Sequence, residues 1–164
     1  MISISNQKGV GLIELLVSIA ILGLLGSSTA VSISAFIRVT GSGNDKLTAF
    51  HEIQNASYWI SRDGQMASST DLVDGASPVN SVSLTWTDKF NETQVNHSSA
   101  YSLSGTILQR TYDSVVRQVA RNISDIQFSL NGQMMTVVIT SAPQGSAGVS
   151  EQRTYTIRLR PIIS

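Results

Sequence analysis

Few residues in this chain have side chains that can do chemistry. His51 and His97 are the only histidines, with no His, Cys or Glu at ligand spacing around them, and both are expected at the surface or rim. There is no cysteine, which excludes a disulfide scaffold, a thiolate metal site and a Cys nucleophile. Asp71-Leu72-Val73-Asp74-Gly75 faintly suggests a calcium loop. It lacks the alternating oxygen ligands of an EF-hand, and a turn is the favoured reading. No phosphate-binding P-loop, GxSxG or HExxH occurs, so no enzyme, cofactor or metal is expected. The exception is Lys8-Gly9-Val10-Gly11-Leu12-Ile13-Glu14-Leu15-Leu16, where a carboxylate stands inside an apolar run. A charge at the centre of a bilayer costs about 2.5–3.5 kcal/mol or more, so Glu14 calls for a partner or a purpose.

The element that carries Glu14 is long. From Gly9 to Ile37 it is the only ionisable side chain, and Leu12 to Ile37 is almost wholly apolar or small. As a helix rising ~1.5 Å per residue, that stretch crosses ~30 Å of hydrocarbon. A short polar leader with Lys8 precedes it and Arg38 is the first charge after it. One charge-flanked apolar run is a targeting and anchoring segment. Three readings compete. A cleaved secretory signal would use the small-x-small site Ser28-Thr29-Ala30, but leaves Glu14 unexplained. A plain signal anchor leaves it equally unexplained. The third gives Glu14 a role.

Gly9, Val10 and Glu14 fill the places of a known pattern: a basic leader ending in Gly, an apolar residue, then Glu fifth after the cut. The segment resembles the type III signal of type IV pilins and type II secretion pseudopilins. Val10 stands where Phe or Met is more usual and Gly11 where Thr or Ser is common. The resemblance implies that a prepilin peptidase cuts between Gly9 and Val10 on the cytoplasmic side and N-methylates Val10. Gly9, without a side chain, lets the backbone lie flat in a peptidase cleft. It implies that Glu14 pairs with the Val10 amine of a neighbouring subunit and sets assembly register. A lone buried partner of such a pair is expensive. It also implies a single pass through the bacterial inner membrane, an extracytoplasmic head, and later residence in a periplasmic or cell-surface filament with other pilins. Small residues at Gly11, Ser18, Gly23, Gly26, Ser27 and Ser28 fit either ordinary membrane-helix composition or close helix packing with a soft stretch at Gly23–Thr29.

Beyond the apolar run, Gly41-Ser42-Gly43-Asn44-Asp45 is a possible break, with Asn44 or Asp45 able to cap a new helix. Leu47, Phe50, Ile53, Ile60 and Ala67, with small Ala56, Ser57 and Gly64 between, trace one helical stripe from which Lys46, Glu52, Gln54, Asn55, Arg62 and Asp63 fall away. Tyr58-Trp59 flanks it as core or rim packing. The resemblance makes this the exposed half of one N-terminal helix from Val10 to about Ala67, kinked near Gly41–Gly43. Strand signals follow: Val82, Leu84 and Trp86 alternate with polar residues, with a turn at Asp88–Glu92 and a return from Thr93. Ser104-Gly105 and Asn131-Gly132 mark hairpins, and Tyr155, Ile157 and Leu159 alternate near the end. About five or six strands in an antiparallel meander, against one helix stripe, give a two-layer α+β head. The order of pieces over residues 80 to 160 is similar to J-type minor pseudopilins and their minor-pilin relatives. The expected organisation is a leader at 1–9, a membrane or filament-core helix at 10–37 and an extracytoplasmic pilin-like head at 38–164.

Composition bounds the remaining choices. The 164 residues carry 11 Lys+Arg and 11 Asp+Glu, so the chain is neither a generally basic nucleic-acid binder nor an acidic tail protein. Arginines concentrate after residue 100 (Arg110, Arg117, Arg121, Arg153, Arg158, Arg160) and carboxylates before it. That asymmetry fits a solvated surface or complementary faces between subunits. DNA capture by the arginines has weak support, because no aromatic residues interleave with them in the sequence. The alternative class is a signal-anchored or secreted extracytoplasmic binding module that forms no filament.

Overall fold

The computed structural model describes residues 10–90, 93–143 and 148–160. They form one helix and two antiparallel sheets, an α+β architecture of pilin-like type. Helix α1 is Val10–Met66, 57 residues. Gly41, Gly43, Asn44 and Asp45 are all helical, so the anticipated break and new cap do not interrupt it. Thr48 Oγ1 donates back to the Asn44 carbonyl at 3.0 Å, one helical turn away. Each glycine costs a helix only about 1 kcal/mol, and no proline stands nearby to remove a hydrogen bond.

The chain divides into two units, Met1–Gly41 and Ser42–Ser164. In the first unit every side chain described from Gly11 on is exposed except that of Gly41, which is intermediate. In the second, the helix turns Ala49, Ile53, Ala56, Ile60, Asp63 and Gly64 inward, and Ala67 just past its end is buried too. Steps of three and four hold, as the sequence stripe predicts, but its membership differs. Leu47 is 59 % exposed and Phe50 sits at the edge, while Ala49 and Asp63 are fully buried.

The larger sheet runs β1-β2-β3-β4-β5: Ser69–Thr70, Val82–Phe90, Thr93–Ser104, Ile107–Tyr112 and Val115–Ala120. The smaller runs β6-β7-β8: Ile123–Asn131, Met134–Ser141 and Glu151–Arg158. Strand β2 continues through most of the stretch expected to turn, pairing Asp88 with Val95 and Lys89 with Gln94. Both predicted glycine hairpins form. Each closes a two-residue loop with the glycine first: Gly105 between Ser104 and Ile107, Gly132 between Asn131 and Met134. Their φ values of 61° and 60° are ones that only glycine adopts without strain.

The two sheets share one core with the helix. Ile53, Ala56, Ile60 and Ala67 meet Val82, Leu84, Tyr101 and Leu108 of the larger sheet and Ile126, Phe128, Met135, Val137, Ile139 and Ile157 of the smaller. Between β1 and β2 the chain runs beside β6, where Gly75 N–H donates to Leu130 and Val79 exchanges both backbone bonds with Phe128. That strap satisfies the edge of β6, which an uncovered sheet would leave open to pairing.

Candidate functional site

Gly9, the expected end of the leader, lies outside the described residues, and Val10 is the first helical residue. Glu14 follows one turn into α1 and is exposed, among Leu12, Ile13, Leu15 and Leu16, which are each more than 60 % exposed. Large apolar side chains continue on all sides of the helix through Leu25, then Val31, Ile33, Phe36, Ile37 and Val39. None of the described residues covers them. This helix is long and apolar enough to cross a membrane.

Six hydroxyls between Ser18 and Ser34 bond to backbone carbonyls of their own helix. Ser27 and Ser28 donate to the Leu24 and Leu25 carbonyls (2.9 Å each), and Thr29 donates to Leu25 as well (2.8 Å). Ser32 and Ser34 bond back to Ser28 and Ala30, and Ser18 Oγ to the Glu14 carbonyl at 2.7 Å. Such back-bonding removes the cost of placing a hydroxyl in hydrocarbon.

The second unit holds a buried polar cluster that the sequence does not reveal. Asp63, on the inner face of α1, has no solvent exposure. Its Oδ2 accepts from Ser99 Oγ (2.5 Å), Tyr101 OH (2.6 Å) and Arg110 Nε (2.6 Å), and its Oδ1 from an Arg110 terminal amine (2.8 Å). The two-point pair with Arg110 is the geometry in which guanidinium and carboxylate bond best. Burial, then the Asp63 carboxylate, push the Tyr101 phenol far above its ordinary range. The guanidinium lies over Trp59 at 5.0 Å and over Tyr112 at 4.5 Å. Arg110 therefore does not belong to a solvated basic surface, and in space it is interleaved with aromatic rings. The cluster is closed: among the described residues no buried side-chain polar atom lacks a partner.

His51 is exposed on the helix, as expected. His97 is half-buried, with its side chain only 21 % exposed. It stacks on Tyr112 (5.7 Å between ring centres, 15° between planes) beside Trp86, and its Nδ1 meets Asp113 Oδ2 at 2.7 Å. Asp113 accepts the Ser98 N–H through its other oxygen (2.8 Å). The bond from His97 and the Ser98 amide hold its carboxyl below the usual range. The Asp71–Gly75 segment is a turn in which the two carboxylates accept backbone N–H bonds, from Ser83 (2.8 Å) and Gly132 (2.7 Å). Among the described residues no group of three or more His, Asp or Glu side chains is arranged to hold a metal.

No curated protein and no solved structure matches the chain. Residues 4–30 match the family described as the prokaryotic N-terminal methylation motif. The matched span covers Gly9, Val10, Glu14 and the apolar turns through Ala30, whose side chains from Leu12 on are exposed among the described residues. By this match the chain carries the N-terminal methylation signal of prepilin type, found on type IV pilins and pseudopilins.

Proposed function

We propose that this chain is a minor pilin or pseudopilin, a structural subunit of a type IV pilus or a type II secretion filament rather than an enzyme. The observation that carries the reading is the coincidence of the methylation signal at residues 4–30 with a helix whose apolar side chains are bare on every side. Such a surface is stable only in lipid or against other helices. Prepilin peptidase cleaves between Gly9 and Val10 and methylates the new Val10 amine. The protein sits in the inner membrane until other pilins take it up. Val10 and Glu14 lie about one turn apart along the helix, so the cation and the carboxylate can serve two neighbours in a staggered stack. Removing one partner leaves the other charge desolvated, at a cost of several kcal/mol. The order of strands after residue 80 favours the J-type minor pseudopilins within this class.

The test is incorporation. Glu14→Ala removes a charge from hydrocarbon, so insertion and cleavage should persist. Recovery with sheared filaments or with partner pilins should fall at least tenfold against wild type. Equal recovery of the two proteins would remove Glu14 from assembly and with it the filament reading.

A further inference from the structure

We infer that the larger sheet pairs edge to edge with that of a second copy of this chain, β5 of one copy against the outer half of β2 in the next. Both edges are open. β5 ends the sheet on one side, and its Val115, Val116, Arg117 and Gln118 are exposed on both faces. On the other side β1 is two residues long and pairs only with Leu84 and Thr85, so Trp86 to Lys89 have no strand beside them there among the described residues. Sheet edges that stay single are normally guarded by charge. β8, at the edge of the smaller sheet, carries Glu151, Arg153 and Arg158. β5 has one charge, Arg117, and beside it two adjacent valines that are 53 % and 59 % exposed.

Backbone geometry sets the register. In an antiparallel pair, residues whose N–H and C=O point at the partner alternate with residues whose groups point away. Asp113 and Ser114, both at positive φ, make the two-residue turn between β4 and β5, so the flanking Tyr112 and Val115 bond to each other. Arg117, opposite Arg110, also faces β4, which leaves Val116 and Gln118 with backbone groups pointing out of the sheet. On β2, the Ser83 and Thr85 carbonyls accept from Asp71 and Ser68 across the other edge, so Thr87 and Lys89 face that edge in turn.

Neighbours standing the same way up bring β2 of one antiparallel to β5 of the next, because β2 and β4 run one way and β3 and β5 the other. Matching outward groups sets Val116 opposite Lys89 and Gln118 opposite Thr87. Arg117 then falls opposite Asp88. The two lie on the same face of the sheet: Arg117 opposes Arg110, Arg110 opposes Tyr101, Tyr101 opposes Val82, and Asp88 alternates onto the Val82 side of β2. Their position in the ladder is the one where side chains come closest. Asp88 is available, since its contact with His97 is 3.9 Å long. A two-fold contact fails the same test. The fullest β5–β5 overlap sets Arg117 against Arg117 and the fullest β2–β2 overlap sets Asp88 against Asp88, and like charges directly opposite are unfavourable. The head-to-tail contact does not close, so each end keeps an edge for a further copy. So short an edge is weak by itself, but copies tethered in one membrane meet at high effective concentration. The inference therefore rests on the membrane anchoring in the proposed function, and not on cleavage at Gly9–Val10.

The chain has no cysteine, so introduced ones report the contact. Full-length chains carrying Val116→Cys and differently tagged chains carrying Lys89→Cys are reconstituted together in lipid vesicles, floated, and oxidised with copper phenanthroline. Cα atoms of a bonded antiparallel pair stand about 5.5 Å apart, within disulfide reach. The mixed disulfide dimer should exceed, about tenfold, the dimer from either variant alone and that from Gln118→Cys with Lys89→Cys, which is out of register. Adding Arg117→Glu to the first chain should cut the mixed product about fivefold, and Asp88→Arg in the second should restore it. Failure to float with the vesicles would overturn the membrane reading and this inference with it. Flotation without the mixed product would overturn this inference alone, as would a Val116→Cys dimer of equal yield or a charge swap that fails to rescue.

Discussion

Asp63 faces the sheet from the inner side of α1 with no exposure, and four hydrogen bonds converge on its two oxygens. A buried ion pair gains little over a well-packed apolar pair, but losing one member strands the other. Asp63→Ala should therefore lower unfolding free energy by about 3–5 kcal/mol, because Arg110 stays buried without its carboxylate. Urea denaturation followed by tryptophan fluorescence measures it. Combining Asp63→Leu with Arg110→Met should recover most of the loss. Tyr101 gives the cluster a pH signature. Its phenol is held protonated in the fold well above its ordinary 10.0. Above pH 10 the unfolded chain then releases a proton that the folded chain keeps, and stability falls as pH rises. Below 10 both states are protonated and the slope vanishes. Denaturation midpoints across pH 9–11 should decline in wild type and decline less in Tyr101→Phe. The cluster was hidden in the sequence for a definite reason. In the sequence Asp63 is set off the helical stripe because a carboxylate suggests solvent, although it stands three residues after Ile60 and four before Ala67, and its partner Arg110 lies 47 residues away.

Among the elements, those with strong local signals were legible. The apolar run at 12–37, the steps of three and four after residue 49, and the Ser104-Gly105 and Asn131-Gly132 hairpins all correspond to elements formed. Strand β5 was missed because its turn, Asp113-Ser114, lacks glycine although both residues have positive φ (46° and 70°). The His97 ring and the Ser98 amide hold that turn through Asp113, a long-range compensation that no local pattern contains. The meander became two sheets because Arg121-Asn122, with Asn122 at φ 55°, turns the chain out of the first sheet. Ile123 N–H then bonds to the Thr106 carbonyl as the second begins. Helix and smaller sheet approach closely at Gly64. A Cβ there would stand 2.9 Å from Ile157 Cγ2 and 3.1 Å from Met135 Cε. Alanine gains about 1 kcal/mol of helix propensity, against about 1–3 kcal/mol for overpacking. Gly64→Ala should thus destabilise by about 1 kcal/mol, and the penalty should shrink or reverse in an Ile157→Ala background. Thermal or urea melts of the four variants in that cycle decide it.

At the scale of the whole molecule, two kinds of surface are joined in one chain. Among the described residues, one unit is an apolar helix whose side chains are exposed; the other closes its own core and satisfies its buried polar atoms. The first is understandable only with a membrane or other subunits around it, and the methylation signal at residues 4–30 names the class of proteins in which such helices occur. The motif was legible around Gly9, Val10 and Glu14, because a short contiguous run of sequence carries it and no fold is needed to assemble it. The buried cluster of the head was not legible, since Asp63, Ser99, Tyr101 and Arg110 meet only in the fold. The central claim is processing at the Gly9–Val10 bond, and the intact mass of the mature protein purified from bacterial membranes tests it most directly. The account predicts a chain beginning at Val10 and carrying one N-methyl group. A chain beginning at Val31, or one that keeps Met1 and the leader, would contradict it.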